Sequence, residues 1–216
     1  MGDMGATAAI FQPREADRPI VAFDFDGTLT VRDSFTQFLR WRAGRRGWAL
    51  GLVRMAPATA AYARNRDRGA IKAASVAVFL KGTSRTDLEA DAAEFVTRVW
   101  DRFMRPDALE AWDDWGRRGV HRVIVTASPS ITVAPFARRL GADALLGTDL
   151  TFDANDRVTG GFSSLNCRAG EKVARLREAY GPDVRLAAAY GDTSGDTEML
   201  AIAEAPGFRV FTGRPS

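Results

Sequence analysis

The stretch VAFDFDGTLT, residues 21–30, decides how the rest of the chain is read. A short apolar run ends in two aspartates two positions apart, followed by Gly27, Thr28 and Thr30. Alternate residues of an extended chain share a face, so Asp24 and Asp26 turn toward one point. Two close carboxylates repel, and a proton or a cation must relieve them. Aspartate supplies hard oxygen donors suited to Mg²⁺. Gly27 permits an unusual backbone turn beside a ligand. Taken alone, Asp-x-Asp is equally a turn with a helix cap.

Working outward, apolar runs recur at 120–125, 144–146, 186–190 and 208–211, with helix-period stretches at 131–140, 172–180 and 197–203. Short apolar strands alternating with helices predict an α/β fold with a parallel sheet covered on both faces. Residues 150–160 alternate, turn at Asn155-Asp156 and alternate again, which predicts a small antiparallel hairpin. Residues 33–105 carry almost no strand signal. Phe35, Phe38, Leu39 and Trp41, then Val76, Phe79 and Leu80, then Phe95, Val96, Val99, Trp100 and Phe103 fall at helical spacing. The pattern divides the chain into a leader at 1–18, an α/β core at 19–32 and 106–216, and a helical cap at 33–105 inserted after the first strand.

The 216 residues are 46% apolar, enough for one domain with a smaller lobe. One cysteine, Cys167, excludes an intramolecular disulfide and fits a reducing compartment. One histidine, His121, excludes a multi-histidine metal site; it is expected near a strand end at the surface. The chemistry must come from carboxylates, hydroxyls and amines. The N-terminus has no basic and apolar pair of regions that would make a secretory signal. Gly2 suggests myristoylation, but Ala6 stands where Ser or Thr is wanted.

Residues 40–68 hold eight arginines against the single Asp67. Such a block is either a solvated face or a partner for an anion. Inside it, residues 48–63 are mostly apolar over sixteen positions, too short to span a bilayer, which needs about twenty. They predict a buried hairpin of the helical lobe or a segment lying at anionic lipid headgroups.

In a parallel sheet the C-terminal strand ends form one rim, where ligands bind. Asp24 and Asp26 follow the first strand and Thr126 ends the second. Ser128-Pro129 reads as an N-cap and first-turn pair. Lys172 sits in a helix's first turn, where a cation opposes the dipole unless an anion stands in front. Gly191-Asp192 follows the fourth predicted strand. Asp196 reads as a helix cap or as an orienting group for a charge nearby.

The quartet DFDGTLT, the Thr126 of VIVTAS, Lys172 and GDTSGD, in this order, resembles the haloacid dehalogenase superfamily of phosphatases. A helical cap after the first of these is similar to the phosphoserine-phosphatase-like subclass. Within it, DFDGTLTVRDSFTQFLR and NCRAGEKVARLREAYG most resemble the phosphatidylglycerophosphatase C-like hydrolases. The chain departs from phosphoserine phosphatases at Asp33, at Thr126-Ala127-Ser128, and in lacking a matching cap arginine around 72–78. The resemblance implies an Asp24 nucleophile, an Asp26 acid and base, and Mg²⁺ on Asp24, Asp26 and Asp192. It implies phosphate contacts from Thr126 and Lys172, with Asp196 behind them, and substrate contacts from Asp33, Ala127, Ser128 and Thr193. The expected substrate is a phosphorylated small molecule or lipid. The expected setting is cytoplasmic, with contact between residues 40–68 and an anionic membrane as an extension. A phosphotransferase on the same scaffold is the nearest rival. A receiver domain would leave the long insert without a role. No nucleic-acid partner is expected, since no motif for one accompanies the arginines.

Overall fold

The computed structural model describes residues 18–215. Residues 1–17 of the leader, and with them the myristoylation reading at Gly2, lie outside the described residues. The first strand, β1 (Ile20–Phe23), is apolar and buried at all four positions, as a strand covered on both faces must be. Three helices follow: α1 (Ser34–Asn65), α2 (Arg68–Phe79) and α3 (Arg85–Phe103). The chain then alternates through α4 (Pro106–Arg117), β2 (His121–Pro129), α5 (Ser130–Leu140) and β3 (Ala144–Thr148). A hairpin, β4 (Leu150–Phe152) and β5 (Val158–Phe162), precedes α6 (Gly170–Tyr180), β6 (Leu186–Gly191), α7 (Thr197–Ala201) and β7 (Ala203–Phe208).

The five-stranded parallel sheet runs β3-β2-β1-β6-β7. From β1 the chain builds outward on one side, then returns to build on the other. The strand order therefore reverses beside β1, and the crevice outside that point is where such sheets bind ligands.

Local sequence explains the helices. Asp33 caps α1, its carboxylate accepting from Thr36 N at 2.6 Å, and Ser84 caps α3 through Asp87 N. Pro106 opens α4 at the position where a missing N–H costs nothing. Along α3, Leu88, Ala92, Phe95, Val96, Val99 and Phe103 form one buried stripe. Phe95 and Phe103 pack on Phe136 of α5, so the root of the helical cap shares one core with the sheet layer. The hairpin braces α2 from below, Gly160 lying close against Ala77.

Three expectations are corrected. Residues 48–63 form no hairpin: they lie on one continuous helical run, the part of α1 beyond a backbone break at Gly44 (φ 64°, ψ 176°). Only Gly51 and Met55 of this stretch are buried, while Leu50, Leu52 and Val53 are 61%, 51% and 73% exposed. The last strand is Ala203–Phe208 rather than 208–211. Its solvent-facing positions hide it from an apolar-run search, and Pro206 is tolerated because β7 is an edge. His121 does begin β2 but is fully buried, its Nε2 3.0 Å from the Tyr180 hydroxyl, because β2 is flanked by β1 and β3 and covered by α6.

Candidate active site

Asp24 stands one residue beyond β1, its backbone N–H donating to Tyr190 O of β6 at 2.8 Å. That bond fixes it at the strand-order reversal. Lys172, in the first turn of α6, reaches it across the rim: Nζ donates to Asp24 Oδ1 at 2.5 Å, Asp196 Oδ1 at 2.6 Å and Val125 O at 2.7 Å. All three ammonium protons are used, and the side chain is 2% exposed. Two carboxylates thus face the helix start, which removes the conflict between a cation and the dipole. Ala169, just before α6, holds φ 57°, a conformation costly for a non-glycine residue, and its N–H donates to Gly195 O. This strained turn aims Lys172 inward.

Asp196 is no simple cap. No side-chain cap bond forms at α7; instead Oδ2 accepts from Asp192 N, Thr193 N and the Thr193 hydroxyl. Both its oxygens are therefore committed to holding Lys172 and the loop that carries Asp192. Ser128 is not a cap either, because β2 continues to Pro129 and the helix begins after it. Its hydroxyl donates to Asp26 Oδ2 at 2.5 Å, and Ser34 N donates to Asp26 Oδ1 at 2.6 Å. Thr126 is fully buried, and its hydroxyl oxygen accepts from Ser128 N.

The electrostatics follow from crowding. Burial pushes the Asp24 carboxyl up to about 7, even against the opposing pull of Lys172. Burial also raises Asp26, with the charge of Asp33 adding to it and the Ser128 and Ser34 hydrogen bonds opposing. Asp192 is raised by burial and by Asp196. Burial would lower Lys172, but Asp24 and Asp196 reverse this and hold it above the ordinary lysine value.

Asp24, Asp192 and Asp196 each place an oxygen within 4.8 Å of the others. Asp192 Oδ1 is buried with no hydrogen-bond partner, and Asp24 Oδ2 meets only the Thr28 hydroxyl at 3.3 Å. Two underused carboxylate oxygens beside a positive-φ glycine fit a hard divalent cation. Gly27 (φ 91°) is required there, since any β-carbon would overlap the Asp192 carboxylate.

A cavity of about 690 Å³ opens onto this cluster, lined by Asp24, Asp26, Thr126, Lys172, Asp192 and Asp196. Asp33, Ala127 and Thr193 also line it, whereas Ser128 lies behind Asp26. The structure adds Lys72 of α2, which the sequence pattern did not single out. Its Nζ donates to Ala127 O at 2.8 Å, and burial lowers its pKa against the pull of Asp26 and Asp33. Its signal was a lone cation within an otherwise apolar helical run. Tyr62 and Arg68 complete the cap side of the wall.

A parallel sheet with a strand-order reversal, an acidic pair after its first strand and a buried lysine bridging two of the rim carboxylates define a hydrolase of one family. The chain belongs to the haloacid dehalogenase-like hydrolases, whose family model matches residues 21–201. It is 57% identical over 197 residues to Protein CicA of Caulobacter vibrioides, covering 91% of this chain and 88% of that one. Solved structures share the fold. A protein with unknown function from Bordetella pertussis Tohama I matches at TM-score 0.73 and 24% identity, covering 88% of each chain. A phospho-aspartyl intermediate analogue of phosphoserine phosphatase matches at TM-score 0.56 and 20% identity, covering 88% of this chain and 85% of that one.

Proposed function

We propose that the chain is a Mg²⁺-dependent phosphomonoester hydrolase working through an aspartyl phosphate on Asp24. The observation that carries this is the Asp24 carboxylate held at 2.5 Å by a fully buried lysine, with a second carboxyl, Asp26, beside it. Asp24 attacks phosphorus in line; the bond to the ester oxygen breaks as the Asp24 oxygen–phosphorus bond forms. Asp26, whose carboxyl burial raises toward the protonated form, gives a proton to the departing alkoxide. It then takes a proton from the water that attacks the acyl phosphate, releasing inorganic phosphate and restoring Asp24. As Asp24 loses its negative charge to the bond with phosphorus, the Lys172 N–H that it held turns to an equatorial oxygen, and the Thr126 hydroxyl binds another as charge spreads over them. Asp24, the Asp26 carbonyl and Asp192 would hold Mg²⁺, which supplies positive charge against the repulsion between carboxylate and phosphate.

Residues 33–105 serve as a lid over this chemistry. α3 roots this lid in the core through Phe95 and Phe103, while α2 and the far part of α1 cover the cavity with Tyr62, Arg68 and Lys72. Asp33, Ala127 and Thr193 contact the leaving group from the rim, and Ser128 acts through Asp26. Transfer to water, rather than to a second alcohol, is tested by product analysis with added alcohols.

The substrate reading with specific support is a lipid phosphate such as phosphatidylglycerophosphate. The exposed Leu50, Leu52 and Val53 lie among Arg45, Arg46 and Arg54 on α1, the helix that also brings Tyr62 to the cavity. No helix among the described residues is long and apolar enough to cross a membrane, so any contact would be peripheral.

The decisive assay is Mg²⁺-dependent phosphate release from p-nitrophenyl phosphate. Asp24→Asn should abolish it, and wild-type turnover in that variant would end the mechanism. Asp26→Asn should keep some phosphorylation by activated leaving groups. A screen of phosphatidylglycerophosphate beside phosphoserine, with sedimentation on phosphatidylglycerol vesicles, tests the lipid version. Preference for the soluble ester with no vesicle binding would remove it.

A further inference from the structure

A second cavity, of about 760 Å³, adjoins the first at Gly27 and Asp192. Five arginines line it: Arg32 from the loop after β1, Arg102 from α3, Arg105 before α4, and Arg209 and Arg214 from the segment beyond β7. The only acid in its wall is Asp192. Two arginines are partly occupied with structure. Arg105 donates from Nε to Gly27 O and from Nη1 to Gly213 O, and Arg209 donates from Nε to Asp192 O at 2.7 Å. Each guanidinium has five N–H groups, so most of their donors remain available. The guanidinium groups of Arg32, Arg102 and Arg214 make no hydrogen bond or ion pair with any described residue. The nearby Asp107 cannot serve them fully, because its carboxylate accepts from Thr212 N, Gly213 N and Ala108 N and so pins the C-terminal segment in place.

Five like charges gathered from four parts of the chain repel one another, and a concave wall with five arginines against the single Asp192 is suited to an anion. Planar guanidinium forks pair bidentately with phosphate oxygens, and several converging forks can serve the multiple oxygens of a polyanion. The two cavities share Gly27, Val31, Arg32, Arg105 and Asp192 in their walls. A group in the second cavity therefore sits beside the loop that carries the metal-binding Asp192, and Arg105 and Arg209 grip the carbonyls of that loop and of Gly27.

We infer that this arginine cavity is a second phosphate-binding site, taking a phosphate-bearing polyanion. The ligand is either the distal phosphate of a substrate whose reacting phosphate lies at Asp24, or a separate polyphosphorylated effector. The site itself does not depend on the proposed reaction.

The test is calorimetric titration of the full chain with inorganic tripolyphosphate, without divalent cation and at fixed ionic strength. Wild type should bind one equivalent. Arg102→Ala/Arg214→Ala should weaken binding at least tenfold with its melting temperature unchanged. Arg40→Ala/Arg45→Ala, which removes the same charge from α1, should bind as wild type does. Unchanged affinity in the cavity variant, or an equal loss in the α1 variant, would overturn the site. A second arm separates the two sources. Fructose 1,6-bisphosphate and fructose 6-phosphate are titrated with Mg²⁺ into the Asp24→Asn protein. A bisphosphate preference lost with the cavity arginines identifies a distal substrate phosphate. No preference, with tripolyphosphate binding intact, identifies a separate effector.

Discussion

Asp196 reaches Lys172 with Oδ1 at 2.6 Å while its Oδ2 gathers the N–H groups of Asp192 and Thr193. One carboxylate thus positions the ammonium beside Asp24 and the loop that presents Asp192. Asp196 is held below the ordinary carboxylate range: burial would raise it, but Lys172 and the Thr193 bonds reverse that. Asp196→Asn should therefore lower turnover strongly while p-nitrophenyl phosphate still binds, a kcat loss larger than any KM change. An unchanged kcat would refute the positioning role.

Lys172 is the fully buried partner of two carboxylates. Replacing it by methionine leaves both without their cation, a change that costs about 3–5 kcal/mol in comparable buried pairs. Lys172→Met should lose detectable turnover and show a clearly lowered midpoint in urea. A variant of wild-type stability would mean the pair is not balanced by Lys172.

The raised carboxyls make a stability prediction for protein free of divalent cations. Burial pushes the Asp24 carboxyl up to about 7 in the folded state, against about 3.9 for an unperturbed aspartate. Between those values the folded state holds a proton that the unfolded state has released, so stability falls as pH rises through the window. Asp26 and Asp192 are shifted in the same direction, while Asp196 titrates below it. Melting temperatures in chelator should fall from about pH 4 to about pH 7. Mg²⁺ added at the upper end should raise the melting temperature, and Asp24→Asn should flatten the slope. A melting temperature that climbs across the window would contradict the burial account.

Ser128 stabilises the ionised form of Asp26 through a 2.5 Å hydrogen bond. Ser128→Ala should raise the Asp26 pKa further and move the Asp26-dependent limb of the pH–rate profile to higher pH. A merely structural role would lower the rate without moving that limb.

Gly27 adopts φ 91° against the Asp192 carboxylate. Gly27→Ala should raise the Mg²⁺ concentration for half-maximal activity at least tenfold, because the new methyl displaces a ligand. Equal Mg²⁺ dependence in the variant would show that Asp192 has room to spare.

Much of this site was legible because its groups end apolar strands or open helices. Asp24, Asp26, Thr126, Lys172, Asp192 and Asp196 each follow such a punctuation in the sequence, and all six line one cavity. What was not legible depends on neighbours distant in the chain. Ser128 looks like a helix cap until β2 is seen to run on past it toward Asp26. Lys72 sits on an otherwise apolar helix, and its approach to Ala127 is set by the packing of α2 on β5. His121 reads as a strand end at the surface, yet Tyr180, 59 residues away, covers it. The edge strand β7 was missed because only one of its positions is fully buried.

The bond between Lys172 and Asp24 spans 148 residues of chain. During synthesis the acidic pair therefore emerges long before the ammonium that neutralises it. No N-terminal fragment ending before α6 can assemble the cluster, whatever part of the sheet it has formed. Chemistry is acquired only with the late, long-range pairing of β6 onto β1, a slow kind of contact to make. A half-made chain in consequence carries its acidic pair without the buried cation, and the cluster closes only as the fold matures.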